Sequence, residues 1–185
     1  MSAADRDSFM NVTEAVETRL ELKEYSDEPV DEETKLSILD AGRLAPSGRN
    51  LQHWRFILID SEDELSELAS MSPSGRWIGG ADFAIAICTD SSHDNLREQD
   101  HIIDAGRAIT QMQLVAWEHG VASRIYTVDG PAVPEYLNLP EKYDLPLIAG
   151  FGYLTRELKG IKDRKPLEEI VFQGSFGSPL DLERE

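Results

Sequence analysis

The segment from Ile102 to His119 limits most sharply how this chain can fold. Ile102, Ile103, Ala105, Ile109, Met112, Leu114, Val115 and Ala116 put apolar side chains almost all the way round a helix. Such a helix cannot rest with a broad flank in water. It belongs in a core or at a subunit interface, and Gly120 stops it.

The rest of the chain supplies material to pack against it. Val12, Ala15, Val16 and Leu20 keep a helical period over Val12 to Leu20, with Thr13 as candidate cap. The polar stretch ELKEYSDEPV then connects to a second helix, Glu32 to Leu44, capped by Asp31 with Thr34 three residues on and broken by APSGRN. Trp54–Ile59 and Phe83–Cys88 read as strands, as do Arg124–Val128 and Leu147–Tyr153. Asp63–Met71 reads as a short helix, Ser72–Gly80 as a loop holding Trp77, and Pro131–Leu137 as another short helix. PLEEIV is a helical turn or a short edge. Helices and strands intermix without repeats, which predicts an α+β fold: a central, mostly antiparallel sheet flanked by helices. The expected organisation is one domain over residues 11–185 behind a flexible leader, residues 1–10.

Composition excludes several functions. With 185 residues, 41% of them apolar, the chain can bury a real core. No apolar run is long enough to span a bilayer and none opens the chain as a signal peptide would, so a cytoplasmic protein without membrane contact is expected. Cys88 stands alone, which rules out a disulfide framework and suggests a buried thiol. His53, His93, His101 and His119 show no metal-ligand spacing; no metal is expected, and these histidines are assigned to surfaces or satisfied positions. Trp54 and Trp77 are assigned to packing. The net charge of −17 repels phosphate backbones, so nucleic acid is not an expected partner. That acidic excess, with only six lysines among eighteen bases, points to a haloarchaeal or other halophilic source.

The scarce positive charge is unevenly placed. Residues 41–59 carry Arg43, Arg49 and Arg55 and no acid; residues 156–165 carry Arg156, Lys159, Lys162, Arg164 and Lys165 against Glu157 and Asp163. Two basic islands in an acidic chain suit an anion site. The GxGxxG, Walker, GxSxG and HExxH patterns are absent; Gly150-Phe151-Gly152 lacks the third glycine.

Two stretches carry a more specific signal. TRLELKEYSDEPVDEETKLSILDAGRLAPSGRNLQHWRFILI resembles the opening of the nitroreductase family: a basic-x-Ser-x-basic-x-aromatic segment, a DEPV-type turn, a helix, then Ala-Pro-Ser-x-x-Asn-x-Gln-Pro-Trp and a strand. GIKDRKPLEEIV resembles that family's closing segment, and the likeness covers roughly residues 12–172. It implies the nitroreductase-like α+β sandwich and a homodimer with FMN at its interface. Arg19 and Arg164 would clasp the FMN phosphate, since a guanidinium fork pairs with two phosphate oxygens. Lys23 would sit near N1 and O2 of the flavin ring, favouring the reduced anion. Lys162 would contact the ribityl or phosphate end. Pro46, Ser47, Gly48, Asn50 and Gln52 would form a loop given to the partner's site, with amides and hydroxyls free for a phosphate. Gln111 would stand in the family's Gln-Asn pair on the long helix.

The resemblance further implies an NAD(P)H-dependent flavin oxidoreductase. NAD(P)H would reduce the flavin at N5, and a nitroaromatic, quinone or similar small conjugated acceptor would take the electrons in a ping-pong cycle. No side chain is expected to be catalytic. Four departures stand out. Glu21 replaces the family's serine between the two bases, His53 replaces the proline before Trp54, Thr110-Gln111 replaces Gln-Asn, and Val121–Ile125 differ from the usual Leu-Gly-Ser-Cys-Trp. The alternatives are a non-enzymatic flavin or small-ligand binding protein on the same fold, and a structural protein that has lost the cofactor.

Overall fold

The structure is a computed structural model that describes residues 10–90, 92, 99–155 and 162–181. Residues 1–9 of the expected leader, His93, Arg156 and Lys159 lie outside the described residues.

The elements run α1 (Val12–Thr18), α2 (Glu32–Arg43), β1 (Trp54–Ile59), α3 (Glu62–Met71), β2 (Phe83–Asp90), α4 (Asp100–Glu118), β3 (Val121–Thr127), α5 (Ala132–Tyr136), β4 (Tyr143–Tyr153) and α6 (Leu167–Ile170). The four strands form one sheet in the order β1-β2-β4-β3, every neighbouring pair antiparallel, as the α+β reading anticipates. β2 lies inside the sheet and is buried along its whole length. Its alternation sorts the core into two layers. Phe83, Ile85 and Ile87 pack with Ile38 of α2 and with Ile109 and Met112 of α4; Ala84, Ala86 and Cys88 pack with Leu65 and Leu68 of α3 and Val133 of α5. Helices therefore cover both faces. Cys88 is buried, and burial pushes its thiol up to about 11, which leaves it unreactive.

Local signals fix several boundaries. Asp31 caps α2 as expected, accepting from the Thr34 amide at 2.8 Å. α1 is capped by Asn11, which accepts from the Glu14 amide, rather than by Thr13, and it ends at Thr18 rather than Leu20. Within the expected loop of residues 72–80, Arg76–Gly80 wind into a 3-10 turn. Gly150 and Gly152 are packing positions. A Cβ on Gly150 would lie 2.8 Å from the Trp77 ring, and one on Gly152 2.9 Å from Tyr25 Cβ.

Asp90, at the end of β2, accepts from the Ser92 hydroxyl and amide at 2.5 and 3.0 Å and from Lys142 at 3.2 Å. These bonds, the Ser92 hydroxyl foremost, pull its carboxyl down to about 2. A folded value below the unfolded one, about 3.9, makes Asp90 stabilising above that pH and progressively less so as pH falls towards 2. Urea midpoints of the parent and Asp90→Asn are expected to differ at pH 6 and to converge as pH approaches 2. A gap that is constant with pH would contradict this assignment.

Candidate functional site

Two groups of the anticipated residues form separate clusters, both attached to α4. The first surrounds the C-terminal end of α1. Arg19 is its C-cap, and its guanidinium meets Glu21 Oε1 at 2.7 Å. Lys162 Nζ donates to the Val16 carbonyl, one turn earlier on the same helix end. Partial burial first, then the charges of Arg19 and Arg164, push the Lys162 ammonium below the ordinary lysine value. Glu17, exposed on α1, acts on Lys162 in the opposite sense.

Glu21 is held on three sides. Beside Arg19, Oε1 accepts from Gln113 Nε2 at 2.8 Å, and Oε2 accepts from the Ile125 amide at 3.0 Å. A parallel bridge between Glu21 and Ser123, closed by the Leu22 amide on the Ser123 carbonyl, lays the segment along the outer edge of β3. Gln113 also donates to Ser123 Oγ. Glu21 and Lys23 line a cleft of about 210 Å³ with Leu22, Glu24, Arg124, Leu154 and Thr155. Tyr25 backs the segment, donating to the Leu22 and Gly150 carbonyls. Burial above all, then the nearby Glu21 charge, raises its pKa far above the usual phenol value.

The second cluster is the loop from Pro46 to Gln52. Gly48–Asn50 form a 3-10 turn, and Arg49, Asn50 and Gln52 hold φ of +53°, +58° and +49°. Left-handed backbone costs each of these residues about 1 kcal/mol. The loop keeps it because it is tied internally and to α4. Ser47 Oγ accepts from the Gln52 amide at 3.0 Å, Asn50 N–H bonds the Ser47 carbonyl, and Gly48 N–H bonds Asp104 Oδ2 at 2.8 Å. These amides are therefore not free for a phosphate, which corrects the expectation for the loop. The Ser47 hydroxyl hydrogen and the exposed Arg49 and Asn50 side chains are donors the loop still offers.

Asp104 escaped the sequence reading, and His53, assigned there to a surface or a satisfied position, is buried beside it. Asp104 is almost fully buried. It accepts from Gly48 and from Arg107 at 2.9 Å, and His53 Nε2 stands 3.7 Å away with its side chain wholly buried. The available signal was an acid in register with Ala108 and Met112 on the buried face of α4. Gln113 gave a similar signal between Ile109 and Ala116. The expected Gln111 does not meet Glu21; its side-chain oxygen is buried and has no hydrogen-bond partner among the described residues.

The two clusters touch α4 at Gln113 and Asp104, nine residues and so about 13 Å apart along its axis. One chain therefore presents cations at a helix end and, separately, a constrained polar loop. Among the described residues, no group of His, Cys, Asp and Glu could hold a metal, and no helix is long and apolar enough to cross a membrane.

Comparison with known proteins agrees with the fold. The nitroreductase family model matches residues 16–72. A Methanothermobacter thermautotrophicus protein provisionally named NADH dehydrogenase/NAD(P)H nitroreductase is 35% identical over 89 residues, 48% of this chain and 47% of the relative. A protein of the same provisional name from Archaeoglobus fulgidus is 28% identical over 141 residues, 74% of this chain and 81% of the relative. The match thus spans about half the length of the first relative and four fifths of the second. Among solved structures, an FMN-dependent nitroreductase from Clostridium difficile superposes with a TM-score of 0.79 at 28% identity, covering 88% of this chain and 98% of that one. Nitroreductase A from Vibrio parahaemolyticus, at 18% identity and a TM-score of 0.81 over 92% of this chain and 77% of its own, shares the fold.

Proposed function

We propose that this chain, which has the nitroreductase fold, is a member of the nitroreductase family and an FMN-dependent oxidoreductase that passes electrons from NAD(P)H to a small conjugated acceptor such as a nitroaromatic or a quinone. The observation that carries the reading is the meeting of Arg19 and Lys162 at the end of α1, with Arg164 two residues beyond Lys162 and a cleft lined by Lys23 on the segment that follows Arg19. The donor set fits the cofactor. Guanidinium and ammonium groups suit a phosphate dianion, and the cleft lined by Lys23 and Arg124 would take the ring-bearing end.

Bound FMN would supply the redox step itself, accepting hydride at N5 and yielding it to the second substrate in alternation. The chain's own residues bind and orient. Arg19, Lys162 and Arg164 would hold the phosphate. Lys23 would place a fixed positive charge where negative charge gathers on reduction. Tyr25, locked to two carbonyls, keeps the Lys23 segment from swinging off the sheet.

We also propose a homodimer. Ile102 and Ile103 on α4 stay half exposed within one chain, as do Val16 and Leu36. A two-fold partner would cover such residues and bring its loop of residues 46–52 towards this cationic pocket. The decisive measurement is the visible spectrum of FMN-loaded protein before and after anaerobic addition of NAD(P)H. Bleaching of the flavin bands is expected. Flavin that stays oxidised would favour a binding protein, and protein that takes up no FMN would defeat the reading altogether.

A further inference from the structure

Arg19, at the end of α1, is paired with a carboxylate that cannot easily leave. Glu21 meets Arg19 at 2.7 Å, and it is also fixed by Gln113 from α4 and by the Ile125 amide from β3. Two of its three anchors are therefore independent of Arg19, and one is backbone. Glu21 would keep its place when another anion arrived. Its side chain is 41% exposed and that of Arg19 23% exposed, so the pair lies open to an incoming ligand rather than sealed in the core.

We propose that Glu21 is a built-in competitor for the flavin phosphate: it occupies Arg19 and lowers the preference of the pocket for a phosphorylated flavin over an unphosphorylated one. This rests on the reading of the cationic pocket as the phosphate end of a flavin site. The physical ground is charge. A guanidinium already paired with a fixed carboxylate attracts a phosphate dianion less than a free one, and the Arg19 fork that would take two phosphate oxygens already gives one N–H to Glu21. The unphosphorylated isoalloxazine and ribityl parts do not feel this competition. Glu21 thus sets selectivity between FMN and riboflavin, and it makes FMN an exchangeable ligand rather than a permanently held one.

The test is the ratio of FMN to riboflavin affinity, read by quenching of flavin fluorescence at fixed ionic strength, for the parent, Glu21→Gln and Glu21→Ser. Glu21→Gln keeps an acceptor for the Ile125 amide, removes the charge and replaces the oxygen that faces Arg19 and Gln113 with an amide nitrogen; circular dichroism confirms that each variant is folded. The expected result is a ratio raised about tenfold by Glu21→Gln, through tighter FMN with riboflavin within twofold. A ratio that stays the same or falls overturns the proposal, because Glu21 would then be orienting Arg19 for the phosphate instead of opposing it. Should Glu21→Gln fold poorly, Glu21→Ser is read by the same criterion. If the parent binds neither flavin, the flavin reading fails and this inference fails with it. If the parent binds FMN and the ratio does not rise, only the inference fails.

Discussion

Asp104→Ala will cost about 3 kcal/mol of folding free energy, the scale for breaking a buried charged network by removing one partner. The carboxylate is 1% exposed and serves three groups from three places in the chain: the Gly48 amide, the Arg107 guanidinium and the His53 ring. Its removal deprives the Gly48 amide of its acceptor and takes away the anchor that balances the left-handed backbone at Arg49, Asn50 and Gln52. Arg107 is half exposed and can turn to water, so most of the loss comes from the loop side. Urea denaturation will show the drop in midpoint. Asp104→Asn, which keeps an acceptor for Gly48, will recover part of it. A midpoint for Asp104→Ala within experimental error of the parent would mean that the loop is held by its internal bonds alone.

Arg164→Ala will weaken FMN binding by about 10- to 100-fold, the range for losing one charge-assisted contact to a phosphate. Folding should be almost untouched, since Arg164 is exposed and its one described hydrogen bond goes to the neighbouring Asp163 carbonyl. Riboflavin, which lacks the phosphate, should bind parent and variant alike. The fall in FMN affinity with added salt should also be shallower in the variant, because fewer opposite charges remain to be screened. Equal retention of FMN by parent and variant through dialysis would remove Arg164 from the site.

Much of the fold can be read from local chemistry. Trp54–Ile59 is a strand from end to end because its bulky side chains suit no other element of that length. Asp31 and Thr34 announce the start of α2 directly. The strands that were mis-bounded fail for identifiable reasons. β3 begins at Val121, three residues before the expected Arg124, because Ala122 and Ser123 carry little strand preference and are extended by pairing with Gly152 and Phe151. β4 begins at Tyr143 rather than Leu147 because Pro146 argues against a strand in the sequence. The sheet accommodates it where β4 has two residues, Leu145 and Pro146, opposite the single Cys88 of β2.

The site was legible only where residues act near one another in sequence. Arg19, Glu21 and Lys23 lie on one short segment, and the likeness to a known pattern draws in Lys162 and Arg164. The partners of Asp104 lie 51 and 56 residues before it, at His53 and Gly48, and no spacing rule links them. The same holds for Gln113, whose partner Glu21 is 92 residues away. The expectation for Ser47 to Gln52 assumed idle amides, whereas the backbone there bonds to itself and to Asp104.

Because Asp104 and Gln113 are stations on one uninterrupted helix, α4 acts as a gauge bar. The interval between the strained loop and the cation cluster is set by main-chain helical rise rather than by how neighbouring side chains nest. Core substitutions on either side of the sheet can therefore erode stability while leaving that interval intact, so this architecture can drift in its interior without losing the spacing of its two polar fixtures.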